Sequence, residues 1–152
     1  MAKLYLEPII KPDKNKLPEA YEVVADVSRK VGSLTVWVPK FFQYDGSSLP
    51  APAWHVITTP YNPRIMLPAV FHDWIYHTHQ VSRKTADTLL YDMLIEHGFS
   101  SVQAWIVREA VDSFGKSYWK NDGEDDAYIK QLTQRIKADG RDPAKYGLPP
   151  KP

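Results

Sequence analysis

Apolar positions recur at two periods along this chain, and the change of period divides it. From Lys3 to Lys11 they alternate loosely, with Leu4, Leu6 and Ile9 apolar, which predicts a short strand ended by Pro12. Tyr21 to Val27 (YEVVADV) is rich in β-formers and reads as a second strand. Ser33 to Val38 alternates cleanly: Leu34, Val36 and Val38 share one face, Thr35 and Trp37 the other. The turn around Lys30 to Gly32 predicts a hairpin between the second and third strands. From Pro39 the chain is expected to leave the sheet, with Asp45 to Pro50 (DGSSLP) forming a tight loop. Pro50 to Pro63 carries four prolines, which favours a wrapping loop over a long helix.

Beyond that loop the period becomes helical. A helix is predicted to begin near Arg64 to Pro68, with Leu67, Val70, Phe71, Trp74 and Ile75 on its apolar face. His72, Asp73, Tyr76 and His77 form the adjoining polar face. After a polar break at His79 to Ser82, Ser82 caps a second helix with Ala86, Leu89, Leu90, Met93 and Leu94 as its core stripe. Gly98 suits the position just past its end. Ser100 or Ser101 caps a third helix, whose inward positions are predicted as Val102, Trp105, Ile106, Val111 and Phe114. Gly115 marks close packing or a bend. A fourth helix follows the acidic turn Asn121 to Asp126, with a narrow stripe of Tyr128, Leu132 and Ile136, and ends at Gly140.

These elements predict an α+β domain: an N-terminal antiparallel sheet of about three strands, packed with a C-terminal bundle of about four helices around a central antiparallel helix hairpin. Residues 1–50 are its β-rich part, 64–139 its helical part, and 141–152 a proline-rich tail not expected to be helical. A chain of 152 residues is long enough for one real core. Formal net charge is +1, and Lys and Arg are scattered without a basic stripe, so nucleic acid is a poor fit. The absence of cysteine excludes disulfides and thiolate metal sites. No apolar run approaches the ~20 residues that span a bilayer, and the N-terminus lacks the core of a signal peptide.

The candidate chemistry sits in the predicted hairpin. His72 lies about eight residues before the break and Asp87 about six after it, so the two differ by only about 3 Å along the helix pair. A His oriented by a buried carboxylate is a general-base arrangement. Asp73 is rotated about 100° from His72 on the same helix and is left for another task, such as binding a cation. Ser47 and Ser48, following Asp45 and Gly46, place hydroxyls and N–H groups in one concave turn that suits an anion or, through its carbonyls, a cation. A transition metal on His72, Asp73, His77 and His79 is a variant, although His77 and His79 read rather as surface histidines. The same cluster also reads as a polar network that only fixes the hairpin.

Three segments in order, VPKFFQYDGSSLP (Val38 to Pro50), FHDWIYHTHQVSRKTADTLLYDML (Phe71 to Leu94) and AVDSFGKSYW (Ala110 to Trp119), resemble the phage and prophage family called domain of unknown function 1353. The matching positions are Asp45, Ser48 and Pro50; His72, Asp73 and Tyr76; Ser82, Arg83, Ala86 and Asp87; and Phe114, Gly115 and Trp119. The resemblance spans roughly residues 20 to 120 and implies a viral or prophage origin, not a reaction. The shorter run His72-Asp73-x-x-Tyr76, with Asp87 opposite, is similar to secreted phospholipases of the A2 type. That similarity implies His72 as base, Asp73 as calcium ligand, and Tyr76 and Asp87 as the groups that hold the His. The chain departs from those enzymes in lacking cysteine and in having one glycine in the Tyr44 to Ser48 stretch.

Two functions follow. One is a metal-assisted hydrolase of ester or amide bonds, with phospholipid as a candidate substrate and Ca²⁺ at Asp73, or the N–H groups of the 46–48 turn, stabilising the oxyanion. The other is a virion, tail or baseplate accessory whose tail docks on other virion proteins and whose aromatics Trp54, Tyr61, Trp119 and Tyr146 are exposed. Both place the protein in the host cytoplasm or the virion.

Overall fold

The computed structural model describes residues 3–9, 20–44, 49–50, 52–53, 62–119 and 123–152. Strands β1 (Leu6–Pro8), β2 (Tyr21–Val23) and β5 (Gln43–Tyr44) form an antiparallel sheet in the order β1-β2-β5. Leu6 faces Val23 and Tyr21 faces Tyr44 in its register. Strands β3 (Val27–Val31) and β4 (Leu34–Val38) form a separate hairpin, in which Val27 pairs with Val38 and Val31 with Leu34. The helices are α1 (Pro63–Thr78), α2 (Arg83–Glu96), α3 (Ser101–Phe114), a single turn α4 (Lys116–Trp119), and α5 (Gly123–Ala138). The α+β class, the small antiparallel sheet and the helical C-terminal part agree with the sequence reading.

The strands differ in detail. The stretch predicted as one strand from Tyr21 to Val27 is broken between β2 and β3. Asp26 lies in the break, where its carboxylate accepts the backbone N–H of Lys40 at 2.8 Å and draws the chain away from the first sheet. The hairpin turn is therefore Gly32-Ser33, with Gly32 at φ +63°, where a side chain would be strained. Residues 43–44, expected to have left the sheet, return as β5, because Val23 N–H donates to Phe42 O at 2.8 Å and Phe41 N–H to Val23 O at 2.8 Å.

Helix α1 is the centre of the molecule. Asn62 caps it by accepting from Arg64 N–H at 3.0 Å, and Pro63 takes the first turn, where no N–H is needed. Its predicted polar face is buried along with its apolar one: His72, Asp73, Tyr76 and Thr78 are buried beside Val70, Phe71 and Trp74. Trp74 meets Phe42 edge-on with ring centroids 5.0 Å apart, which ties the helix to the segment after β4. Ser82 caps α2 by accepting from Thr85 N–H at 3.1 Å. Gly98, at φ +94°, ends α2, with Gly98 N–H donating to Ile95 O and Phe99 N–H to Leu94 O. The five predicted core positions of α2 are all buried.

Helix α3 corrects the sequence reading. Its capping box, Ser100 with Gln103, is in place. Its buried face, however, is Ala104, Val107, Ala110 and Val111, while Val102, Trp105, Ile106 and Phe114 are exposed. Small side chains let α3 lie close against α2, so the bulkier stripe is the one left outside. The tail also differs: Pro143–Tyr146 is a turn of 3₁₀ helix capped by Asp142, and Tyr146 is fully buried, not exposed. Trp119 is half-buried, and Trp54 and Tyr61 lie outside the described residues. The chain itself holds the tail. Tyr146 O accepts from Trp74 Nε1 and Gln80 Nε2, each at 3.1 Å, and Lys151 N–H donates to Thr78 O at 3.1 Å. No helix among the described residues is long and apolar enough to cross a membrane.

Candidate active site

The count that put His72 opposite Asp87 agrees with the hairpin. His72 Nε2 lies 2.8 Å from Asp87 Oδ1 across α1 and α2, with both side chains out of solvent. Tyr76, one turn beyond His72, donates its hydroxyl to the same Oδ1 at 2.7 Å. The His72 and Tyr76 rings are 4.2 Å apart. A carboxylate can only accept here, so His72 Nε2 carries a proton and donates it to Asp87 Oδ1. Burial, then the hydrogen bond to Asp87 and the charge of Asp87, push the Tyr76 phenol far above its ordinary range, and Arg83 works against them. Tyr76 is therefore a fixed donor to Asp87.

Three further residues support this cluster. Arg83, one turn before Asp87, brings Nη1 to 3.7 Å from Asp87 Oδ2. The same Nη1 donates to Asp112 O at 3.0 Å, near the C-terminal end of α3, where a cation is favoured. Gly115, between α3 and α4, is needed for space. A Cβ there would come within 2.7 Å of the Tyr76 hydroxyl oxygen and 2.3 Å of Val111 O. Trp119 closes the other side, edge-on to Tyr76 with ring centroids 5.0 Å apart. None of the three stood among the predicted site residues. Arg83 was legible as a partner four residues from Asp87, and Gly115 as a glycine inside an apolar helical run.

The other predicted residues fall as follows. Asp73 is buried on α1 beside His72. Asp45, Gly46, Ser47 and Ser48 lie outside the described residues, although Leu49 and Pro50, which follow them, are buried. His72, Asp73, His77 and His79 do not converge on a metal. His72 is held by Asp87, His77 pairs with Asp125, and His79 stacks on Trp119 at 4.0 Å with its Nε2 2.7 Å from Trp119 O. Neither His77 nor His79 is the surface histidine its position suggested, since both are half-buried. Among the described residues no three His, Asp or Glu side chains could hold a metal ion. Calcium takes six to eight oxygens, so Asp73 with the described residues does not complete a calcium site.

Residues 21–111 match the family model described as "Protein of unknown function (DUF1353)". The chain belongs to that family. The match takes in β2 to β5 and the whole α1–α2 hairpin with His72, Tyr76, Arg83 and Asp87, and it stops before Gly115 and Trp119. Comparison with curated proteins and with solved structures gives no match.

Proposed function

We propose that His72, Asp87 and Tyr76 are the general-base centre of an ester hydrolase of phage or prophage origin, with membrane phospholipid as its substrate class. One observation carries this reading: a single carboxylate oxygen, Asp87 Oδ1, holds both His72 Nε2 at 2.8 Å and the Tyr76 hydroxyl at 2.7 Å. That arrangement orients the ring and makes Nε2 the atom that donates to Asp87. His72 Nδ1 takes a proton from water as the water oxygen attacks the ester carbonyl. Asp87 stabilises the imidazolium, which then returns the proton to the leaving alcohol, so the products are an alcohol and a carboxylic acid that releases its remaining proton to solvent. The described residues do not complete the calcium site that the phospholipase likeness implies.

A second reading has its own observation. The side chains of His72 and Asp87 are 0% and 2% exposed, as expected of a network that fixes a helix hairpin in a virion or tail accessory protein. Release of fatty acid from mixed phospholipid vesicles, with added Ca²⁺ or with a chelator, separates the two for wild type and His72→Ala. The hydrolase reading expects release that falls by at least about 10² in a still-folded His72→Ala. A well-folded wild type that releases none under either condition removes that reading. His72→Ala would then only lower the melting temperature.

A further inference from the structure

Leu67 and His97 are shared by two adjoining concavities on the side of α1 that faces β1 and β3. The inner one, about 240 Å³, lies between Arg29 of β3 and a floor of Phe71 and Met93, with Ser28 and Glu96 at its edge. The outer one, about 420 Å³, is walled by Leu4, Leu6 and Met66. Together they fall in the ~300–1,000 Å³ range of small-molecule sites. We infer that they form one cleft for an uncharged single-chain amphiphile, whose hydroxyl head sits in the inner part and whose chain lies along the outer part. This does not rest on the hydrolase reading.

The head is assigned from the polar groups. His97 Nδ1 lies 2.7 Å from Met93 O, and a carbonyl only accepts, so Nδ1 donates. The neutral ring then has one polar atom left, Nε2, which accepts a hydrogen bond from a ligand hydroxyl. Arg29 is the cation of the inner part, and Glu96 already occupies it: Nη1 donates to Oε2 at 2.7 Å and Nη2 to Oε1 at 2.6 Å. Asp92 adds a second negative charge close enough to act on the guanidinium. With the His97 ring neutral, one cation stands against two carboxylates, which disfavours an anionic head and leaves hydrogen bonding to a neutral one. The chain is assigned from Leu4, Leu6, Met66 and Leu67, an apolar wall that suits an unbranched alkyl group.

The chain has three methionines, and two of them report on the cleft, Met66 in the outer wall and Met93 in the inner floor. With methyl-¹³C methionine in the full chain, 1-decanol is expected to shift both the Met66 and Met93 methyl signals saturably. Decanoate is expected to bind on the order of tenfold more weakly. Leu67→Trp fills the junction of the two parts and is expected to weaken decanol on the order of tenfold in a folded protein. Should that variant fail to fold, Leu6→Trp narrows the outer wall from the half-exposed strand β1 and carries the same expectation. The proposal is overturned if decanol gives no saturable shift, if decanoate binds as tightly as decanol, or if the folded tryptophan variant binds decanol unchanged.

Discussion

Two carboxylates that tie elements of this molecule together are treated very differently by their surroundings. Asp26 joins the strands to the tail. Its Oδ1 accepts from Lys40 N–H at 2.8 Å and Arg141 Nη1 at 2.6 Å, and its Oδ2 accepts from the Tyr146 hydroxyl at 2.6 Å with Lys145 Nζ at 3.6 Å. Asp87 joins α1 to α2. Its Oδ1 accepts from Tyr76 and His72, while its Oδ2 has no hydrogen bond among the described residues, only Arg83 at 3.7 Å. Asp26 is half-buried and saturated; Asp87 is wholly buried and satisfied on one oxygen. A structural latch gains by filling every acceptor, as Asp26 does. A buried carboxylate left short of partners costs stability, and that cost is accounted for when the group is held ready to balance a charge arising next to it. The imidazolium of a working His72 would be that charge.

The contrast is tested most strongly at Asp87. Asp87→Ala leaves His72 Nε2–H and the Tyr76 hydroxyl buried without their acceptor, and is expected to cost about 3–5 kcal/mol in urea unfolding. Asp26→Ala is expected to cost less, because Arg141 and Lys145 can turn to water. Equal losses in the two variants would break the distinction. Gly115→Ala comes next. It adds a Cβ at 2.7 Å from the Tyr76 hydroxyl oxygen and 2.3 Å from a backbone oxygen that cannot move freely. The expected loss is about 1–3 kcal/mol. If Tyr76 serves catalysis by holding Asp87, the same variant lowers vesicle hydrolysis as well. Loss of stability with unchanged hydrolysis would show that the Tyr76 contact is structural.

How far the fold was legible depended on how local its causes were. The cap Ser82 and the terminator Gly98 act within one helix turn, and reading the chain was enough to place them; it narrowed the third helix's cap to Ser100 or Ser101, of which the fold uses Ser100. The His72–Asp87 pair was legible because a hairpin with a short connection turns sequence distance into spatial distance. Helix α3 was misread because both of its faces are apolar. The pattern favoured the bulkier Val102, Trp105 and Ile106, whereas close packing on α2 selected Ala104 and Ala110. The Asp26 latch left no trace in the sequence. Asp26 and Arg141 are 115 residues apart, and neither belongs to a periodic pattern. That latch also breaks the predicted strand at Asp26 and ties the tail to the strands.

The smallest expected effect lies in the latch and has the clearest pH signature. Burial raises the Asp26 pKa, but the Lys40 N–H, the Tyr146 hydroxyl and the charges of Arg141 and Lys145 outweigh it and hold the carboxyl below its ordinary 3.8. A lowered folded pKa supplies stability that is present above 3.8 and lost as pH falls through the folded value. Tyr146 moves the other way: burial, then the hydrogen bond to Asp26, push its phenol from 10.0 up to about 12. Its contribution is present below 10.0 and lost as pH rises toward about 12. Asp26→Ala is therefore expected to cost about 1–2 kcal/mol at neutral pH. It should also flatten the acid limb of stability against pH and bring the alkaline limb down toward the ordinary tyrosine range. Urea midpoints measured across that range decide the matter. An acid limb as steep in Asp26→Ala as in wild type would transfer the acid sensitivity to other carboxylates, and the latch would lose its pH signature.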